Sequence, residues 1–559
     1  MQKRLKNVLA CAFLILMLLL VSGCVQETLS RPEKVEEGRQ EHQADPEAEK
    51  RRREEEERLA RERELEARRK REAALREELG PFFVSLPPLD AADNPRIKAK
   101  AIYLTGYTAA NEKRLGELLE LVEQTELNAV VIDVKNDAGL LTYHSDLEIV
   151  REVNSGEDAK IDDLDALLAE LKQRDIYPIA RIVVFRDPHL PEARPEWAIQ
   201  KQNGGLWRDY GGFAWVNPYE KNVWDYNIAI AKEAALKGFR EIQFDYVRFP
   251  ENAKRVDREA VFPGSNGRTK AEAIAQFLAY AVEQLAEYNV HLAADVFGVI
   301  ATSDTDAAGI GQKWEEISPL VDYICPMVYP SHYSAGYFGF SVPDANPGGT
   351  VDRALRDAIK RNASLAAPAI IRPWLQGFTA TWVKGHIGYG SAEIRAQIDA
   401  ALALGIDEFM LWNAANRYTA GGLLTPEEAV AHEAAQAAAR QEKGLDSLNR
   451  TKTEALKDYL GAVKKQSRQE LALWQAGAWE QGESGLAGWV ESWTSSLAAF
   501  RVAESTAAGN YLAAEITLQR EDETFSYTEY FPVVTENGLW KIKPPDTFSA
   551  ALAGQFAPQ

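Results

Sequence analysis

Between Lys98 and about Ala420 the sequence alternates eight times between short apolar runs and amphipathic stretches of helical length. The apolar runs Ala101–Thr108, Ala129–Lys135, Tyr177–Phe185, Glu241–Val247, His291–Phe297, Tyr323–Tyr329, Ala369–Gln376 and Glu408–Trp412 read as strands. Stretches such as EKRLGELLELVEQ and AEAIAQFLAYAVEQLAEY read as the helices between them. Strands separated by helices cannot close hairpins, so they pair in parallel. Eight such units in about 320 residues predict an α/β fold, a (β/α)8 TIM barrel over residues 98–420. An open doubly wound sheet is the competing architecture. It commonly carries a glycine-rich phosphate loop after its first strand, and none follows here.

The rest of the 559-residue chain falls into further segments. Residues 24–97 are dominated by the charge run Glu49 to Gly80, where Glu54 and Arg58, Glu57 and Arg61, Glu64 and Arg68, and Glu66 and Lys70 stand four apart. That spacing predicts a solvated helix acting as a spacer. Leu59, Leu65, Leu75 and Leu79 keep no heptad, so a coiled coil is the weaker reading. Residues 421–465 read as a helical linker. Residues 466–559 read as a small α+β domain: a tryptophan-rich stretch, then alternating strands with Asn537-Gly538 as a hairpin turn. Its order of helices then sheet resembles the nuclear-transport-factor-like fold.

The first residues give an address. Lys3, Arg4 and Lys6 precede an apolar core from Val8 to Val21, too short to span a bilayer comfortably. The VSGC that follows, Val21 to Cys24, resembles the lipobox of bacterial lipoproteins. The resemblance implies that residues 1–23 are a signal peptide, that Cys24 is lipidated, and that the chain is anchored on the extracytoplasmic face of a bacterial membrane. After cleavage only Cys24 and Cys325 would remain, so no internal disulfide is expected. A net charge of −20 argues against a nucleic-acid partner, because phosphate binding needs a basic surface.

In a barrel of this kind the active site gathers where the strands end. Those ends offer Tyr107; Asp133, Lys135 and Asp137; Arg186; Asp245 and Arg248; Asp295; Tyr329 and His332; Trp374 and Gln376; and Trp412 and Asn413. Sugars need such a mixture, aromatic faces for their C–H surfaces and carboxylates and amides for their hydroxyls. Hydrolysis of a glycosidic bond also needs two carboxyl groups flanking it. Asp245 and Asp295, at matching depth on neighbouring strands about 4.8 Å apart, are the expected catalytic pair, and that spacing is compatible with a retaining mechanism. The remaining twelve residues are expected to bind substrate. Each has a structural alternative: Asp245 could pair with Arg248 or Arg181, and Asp295 could cap the following turn. No HExxH motif, EF-hand loop or paired-histidine spacing occurs, so neither metal nor cofactor is expected. A deacetylase metal set and the GxSxG elbow of an esterase are also missing.

The blocks GFREIQFDYVRFP, NAVVIDVKNDAG, ARIVVFRDP and CPMVYPSHY resemble, in order, the putative glycosyl hydrolase domain family of bacterial surface proteins, distantly related to the α-amylase-like hydrolases. The resemblance spans about Lys98 to Ala420. It implies a barrel acting on a polysaccharide or oligosaccharide. In the α-amylase-like enzymes the nucleophile is an Asp ending strand four, matched by Asp245. Their acid is a Glu on strand five, where this chain has Asp295. A non-catalytic glycan-binding or scaffolding lipoprotein on the same fold is the alternative.

Overall fold

The computed structural model describes residues 46–89, 93–503 and 510–555. The expected signal peptide and the expected lipidation site at Cys24 lie outside the described residues. Pro46–Leu79 forms one helix, exposed along most of its length. Of the expected pairs Glu66 and Lys70 meet at 2.7 Å, whereas Arg58 bonds Glu55 and Glu62.

The eight expected strands close into a parallel barrel: β1 (Lys100–Leu104), β2 (Ala129–Lys135), β3 (Tyr177–Val183), β4 (Glu241–Asp245), β5 (His291–Phe297), β6 (Tyr323–Met327), β7 (Trp374–Gln376) and β8 (Phe409–Trp412). Each pairs with its neighbour in sequence, and β8 returns to β1 through Lys100 opposite Phe409. Helices fill the connections, for example Lys270–Leu285, whose Thr269 and Glu272 form a reciprocal N-terminal cap. This is a (β/α)8 TIM barrel.

Several strands stop earlier than their apolar runs. The hydroxyl of Thr105 accepts the Thr108 N–H and starts a helical turn, Gly106–Ala109. Tyr246 turns left-handed, with φ of 49°, and ends β4 at Asp245. Pro373 has no N–H to donate and separates Ile370–Ile371 from β7.

Alternation along β4 explains its mixed composition. Ile242 and Phe244 face the helices, with Phe244 set 5.4 Å from Phe277, while Glu241, Gln243 and Asp245 point into the barrel. These three mark three interior levels. Glu241 meets Arg372 at 2.7 Å, Gln243 lies 3.2 Å from Met410 Sδ, and Asp245 meets Arg181 at 2.6 Å. Apolar side chains such as Val131, Ile179 and Met410 fill the space between.

Four antiparallel strands, β9 (Ser496–Val502), β10 (Tyr511–Arg520), β11 (Glu523–Glu536) and β12 (Leu539–Ile542), form a C-terminal sheet. Helix Lys452–Lys465 lies on it, with Tyr459 6.2 Å from Phe531. The sheet is tied to the barrel where Lys541 Nζ and Asn537 Nδ2 donate to the carbonyls of Ala363 and Leu365, at 2.5 and 3.0 Å.

Candidate active site

At the C-terminal ends of the strands the barrel opens into a cavity of about 960 Å³, within the range of small-molecule sites. Its floor centres on Arg181, an inward-facing residue of β3 that is 1% exposed. Arg181 donates to Asp245 Oδ2 from Nε at 2.9 Å and Nη2 at 2.6 Å, to Asp133 Oδ1 at 2.7 Å and to Asp137 Oδ1 at 3.1 Å. Asp245 Oδ1 accepts the N–H of Tyr246 at 2.6 Å. A tyrosine in the left-handed region costs roughly 1 kcal/mol or more. The turn it makes carries the chain over the cavity and gives the Asp245 carboxylate that extra bond.

On β5, Asp295 sits beside this group without a cation of its own. Its Oδ1 accepts the indole N–H of Trp374 at 2.8 Å, and its Oδ2 is buried with no hydrogen-bond partner. Burial first, and then the neighbouring Asp245 carboxylate, push the Asp295 carboxyl well above the usual carboxylate range. Oδ2 is the oxygen free to carry a proton, because Oδ1 already receives the indole N–H. Burial also raises Asp133, to about 6, against the opposing effects of Arg181 and the hydroxyl of Tyr103.

Aromatic rings complete the floor. Trp412 stacks on Tyr103 at 4.0 Å and meets Trp374 edge-on at 5.6 Å, and Tyr329 is buried beside both carboxyls. Gly298, just after β5, lets the next loop approach: a Cβ there would stand 2.5 Å from Tyr333 Oη and 2.6 Å from the Met327 carbonyl.

Of the residues expected from sequence, Asp137, Asp245, Arg248, Tyr329, His332, Trp374 and Trp412 line the cavity. Burial pushes the His332 imidazole down, which favours its neutral form. Asp133 and Asp295 lie behind the lining, under Arg181 and Trp374. The others differ from expectation. Lys135 is fully buried with Asp187 at 2.7 Å and Asn227 at 2.9 Å, because an irregularity in β2–β3 pairing between Asp133 and Lys135 breaks the alternation. Gln376 braces loops through Ser331, Asp344 and Phe378. Asn413 does the same through Gly377 and Arg417. Arg186 donates to the Asp137 carbonyl and lies over the rings of Phe213 and Tyr246. Tyr107 is 65% exposed, carried out of the cavity by the helical turn that Thr105 starts. Sequence reasoning overlooked Arg181 as the organising residue, although a lone arginine inside the apolar run YPIARIV was its signal. It also missed Tyr246, Glu251, Tyr333 and Tyr337, which reach the cavity from loops. Among the described residues no group of three or more His, Cys, Asp or Glu side chains could hold a metal ion.

The family model described as "Putative glycosyl hydrolase domain" matches residues 101–418. A hypothetical protein from Ruminiclostridium thermocellum ATCC 27405 is similar at 42% identity over 35% of this chain and 97% of its own, with a TM-score of 0.32. The PgaB (BpsB) glycoside hydrolase domain from Bordetella bronchiseptica is similar at 14% identity over 61% of this chain and 98% of its own, TM-score 0.41. The α-galactosidase TtGalA from Thermus thermophilus is similar at 16% identity over 64% of each chain, TM-score 0.37. No curated protein matches.

Proposed function

We propose that this chain, which belongs to the putative glycosyl hydrolase domain family, hydrolyses an extracellular or cell-wall polysaccharide with Asp245 and Asp295 as its catalytic pair. One observation carries the reading. Two carboxyl groups on adjacent strands have opposite surroundings: Asp245 is salt-bridged and open to the cavity, while Asp295 is buried, has no cation and is pushed upward by burial and by Asp245. An acid and a nucleophile require neighbouring carboxyl groups in different environments. Asp295 gives its Oδ2 proton to the glycosidic oxygen as the bond to the anomeric carbon breaks. Asp245 meets the positive charge developing at that carbon and bonds to it, and water then releases the sugar with Asp295 acting as base. The Trp374 indole stands between Asp295 and the cavity, so the Asp295 side chain must turn toward the bound sugar for this transfer.

The activity belongs, in this reading, to a protein held on the extracytoplasmic face of the membrane by lipid on Cys24. The basic, apolar and VSGC segments in sequence support this, and no helix among the described residues is long and apolar enough to cross a membrane. A Cys24→Ser variant is expected to leave the membrane fraction, and its retention there would refute the anchor.

The alternative is a glycan-binding surface protein without turnover. The 1% exposure of Asp295 is the observation in its favour. Reducing-end release from a panel of bacterial and plant polysaccharides, peptidoglycan included, separates the two. Release by the wild type but not by Asp245→Asn or Asp295→Asn variants of normal melting temperature establishes the hydrolase. Glycan retained by all three proteins without release establishes the binding protein. Deprotonation of Asp295 should set the alkaline limit of the rate, since the acid is lost as pH rises through its elevated value.

A further inference from the structure

The cavity holds a second buried cation in a very different setting from Arg181. Arg248, three residues beyond β4, has a side chain only 4% exposed. Its guanidinium lies 4.4 Å from the ring centre of Phe297, 4.8 Å from that of Tyr246 and 5.3 Å from that of Trp215. It donates from Nη1 to the Phe249 carbonyl and from Nη2 to Glu251 Oε1, each at 3.0 Å. A guanidinium has five N–H groups, so donor positions remain. Glu251, its ion-pair partner, is 68% exposed and sits among solvent-facing residues. Exposed ion-pair partners contribute little, and burial pushes the Arg248 guanidinium down from its ordinary range. The charge is thus held in the cavity wall, caged by rings, with a counter-ion that is easily displaced. Lys254, in the helix Ala253–Glu259 that follows, adds a further cation to the lining.

An anionic group on a ligand would complete this arrangement. A carboxylate is planar and takes two parallel N–H bonds from one guanidinium, whereas a sugar hydroxyl would leave the charge uncompensated. We infer that the sugar this cavity accepts carries a carboxylate, as a uronic acid does, and that Arg248 binds it in place of Glu251. This rests on the reading of the cavity as a sugar site. The acidity of the whole chain does not oppose it, because Arg181 is already matched by Asp133, Asp137 and Asp245, whereas Arg248 in the same wall is paired with the exposed Glu251.

The test compares matched sugars on the full chain by ligand-detected NMR: glucuronate with glucose, galacturonate with galactose, and mannuronate with mannose. At least one acid is expected to bind about tenfold more tightly than its neutral partner. Arg248→Met should bring that acid down to the level of its partner. Glu251→Gln, a change at an exposed side chain, should strengthen acid binding several-fold by removing the competing carboxylate, and it keeps the inference testable if the arginine variant fails to fold. Equal binding of acids and neutral sugars, or acid binding that Glu251→Gln leaves unchanged or weakens, overturns the carboxylate assignment and leaves the sugar site standing. Failure of every sugar, acidic and neutral, to bind removes the sugar site and the assignment with it.

Discussion

Two of the barrel's buried arginines, Arg181 and Arg372, lie near its opposite ends, each bound by two or more carboxylates, and the clusters differ in their charge balance. Near the N-terminal ends of the strands Arg372 donates to both oxygens of Glu241, at 2.7 and 2.9 Å, and to Glu408 at 2.9 Å, with the Tyr323 ring 3.5 Å away. Arg96 adds a second cation on Glu408, also at 2.9 Å. Two carboxylates therefore meet two guanidiniums. At the C-terminal ends Arg181 alone serves Asp133, Asp137 and Asp245, and Asp295 stands beside them with no cation. The balanced cluster is closed on itself and acts as a rivet. The unbalanced one, in which burial raises Asp133 and Asp295, opens into the cavity. A buried salt bridge thus says little about function until its charges are counted and its access to a ligand is established.

The sharpest break of this comparison is Asp245→Asn. The amide keeps the shape of the side chain but cannot act as nucleophile. Turnover is expected to fall by roughly four orders of magnitude, a loss of about 5 kcal/mol of transition-state stabilisation. Stability should change little, because Arg181 keeps Asp133 and Asp137. A reducing-sugar assay beside a thermal melt checks both; a variant that melts far below wild type would make Asp245 a structural residue like Glu241.

The matching change in the other cluster should act in the opposite way. Arg372→Met leaves Glu241 and Glu408 buried without their shared partner, and breaking a buried pair costs about 3–5 kcal/mol. Urea unfolding should register that loss, while the folded fraction keeps its turnover. Turnover lost out of proportion to the folded fraction would mean that the two clusters are coupled through the barrel interior.

A smaller effect separates them by pH. Burial raises the Asp133 carboxyl from its ordinary 3.8 to about 6 in the folded protein. The native state therefore holds more protons than the unfolded state between these values, and stability falls as pH rises through that window. The whole effect is at most about 3 kcal/mol. Asp133→Asn should remove this contribution, visible as the difference between variant and wild-type unfolding free energies from pH 4 to pH 7. Glu241, also raised by burial, keeps its own contribution in both proteins. An unchanged pH slope in the variant would mean that Arg181 offsets the burial of Asp133 completely.

Much of this was legible in the sequence, for reasons that can be located. The barrel was, because each strand and helix carries its own period, and so was the inward carboxylate of β4, because alternation along EIQFD leaves Asp245 on the face opposite Phe244. Strand ends were less so. Thr105, Tyr246 and Pro373 stop strands through a side-chain cap, a left-handed residue and a missing N–H, while the apolar pattern runs on. Lys135 was misplaced because alternation holds only while pairing is regular, and the β2–β3 register shifts between Asp133 and Lys135. Glu251, Tyr333 and Tyr337 come from loops, where no period reports direction. Asp295 was legible as a carboxyl group; its missing cation and its indole partner on β7 depend on which strands close the barrel.

The weakest expected effect belongs to Tyr107, an aromatic residue beside a strand end that the turn after β1 sends outward. Its ring meets only the ammonium of Lys160, at 4.8 Å, among the contacts described. Removing an exposed side chain of this kind changes stability by no more than about 0.5 kcal/mol. Tyr107→Ala should therefore melt like the wild type and turn over within about twofold of it, whereas substitution of Trp412, the last residue of β8, removes a ring of the cavity floor. A large rate loss in Tyr107→Ala with long polysaccharides but not with short oligosaccharides would show that the substrate runs past the cavity and across this rim, which extends the site beyond the two clusters and makes the outward tyrosine part of it.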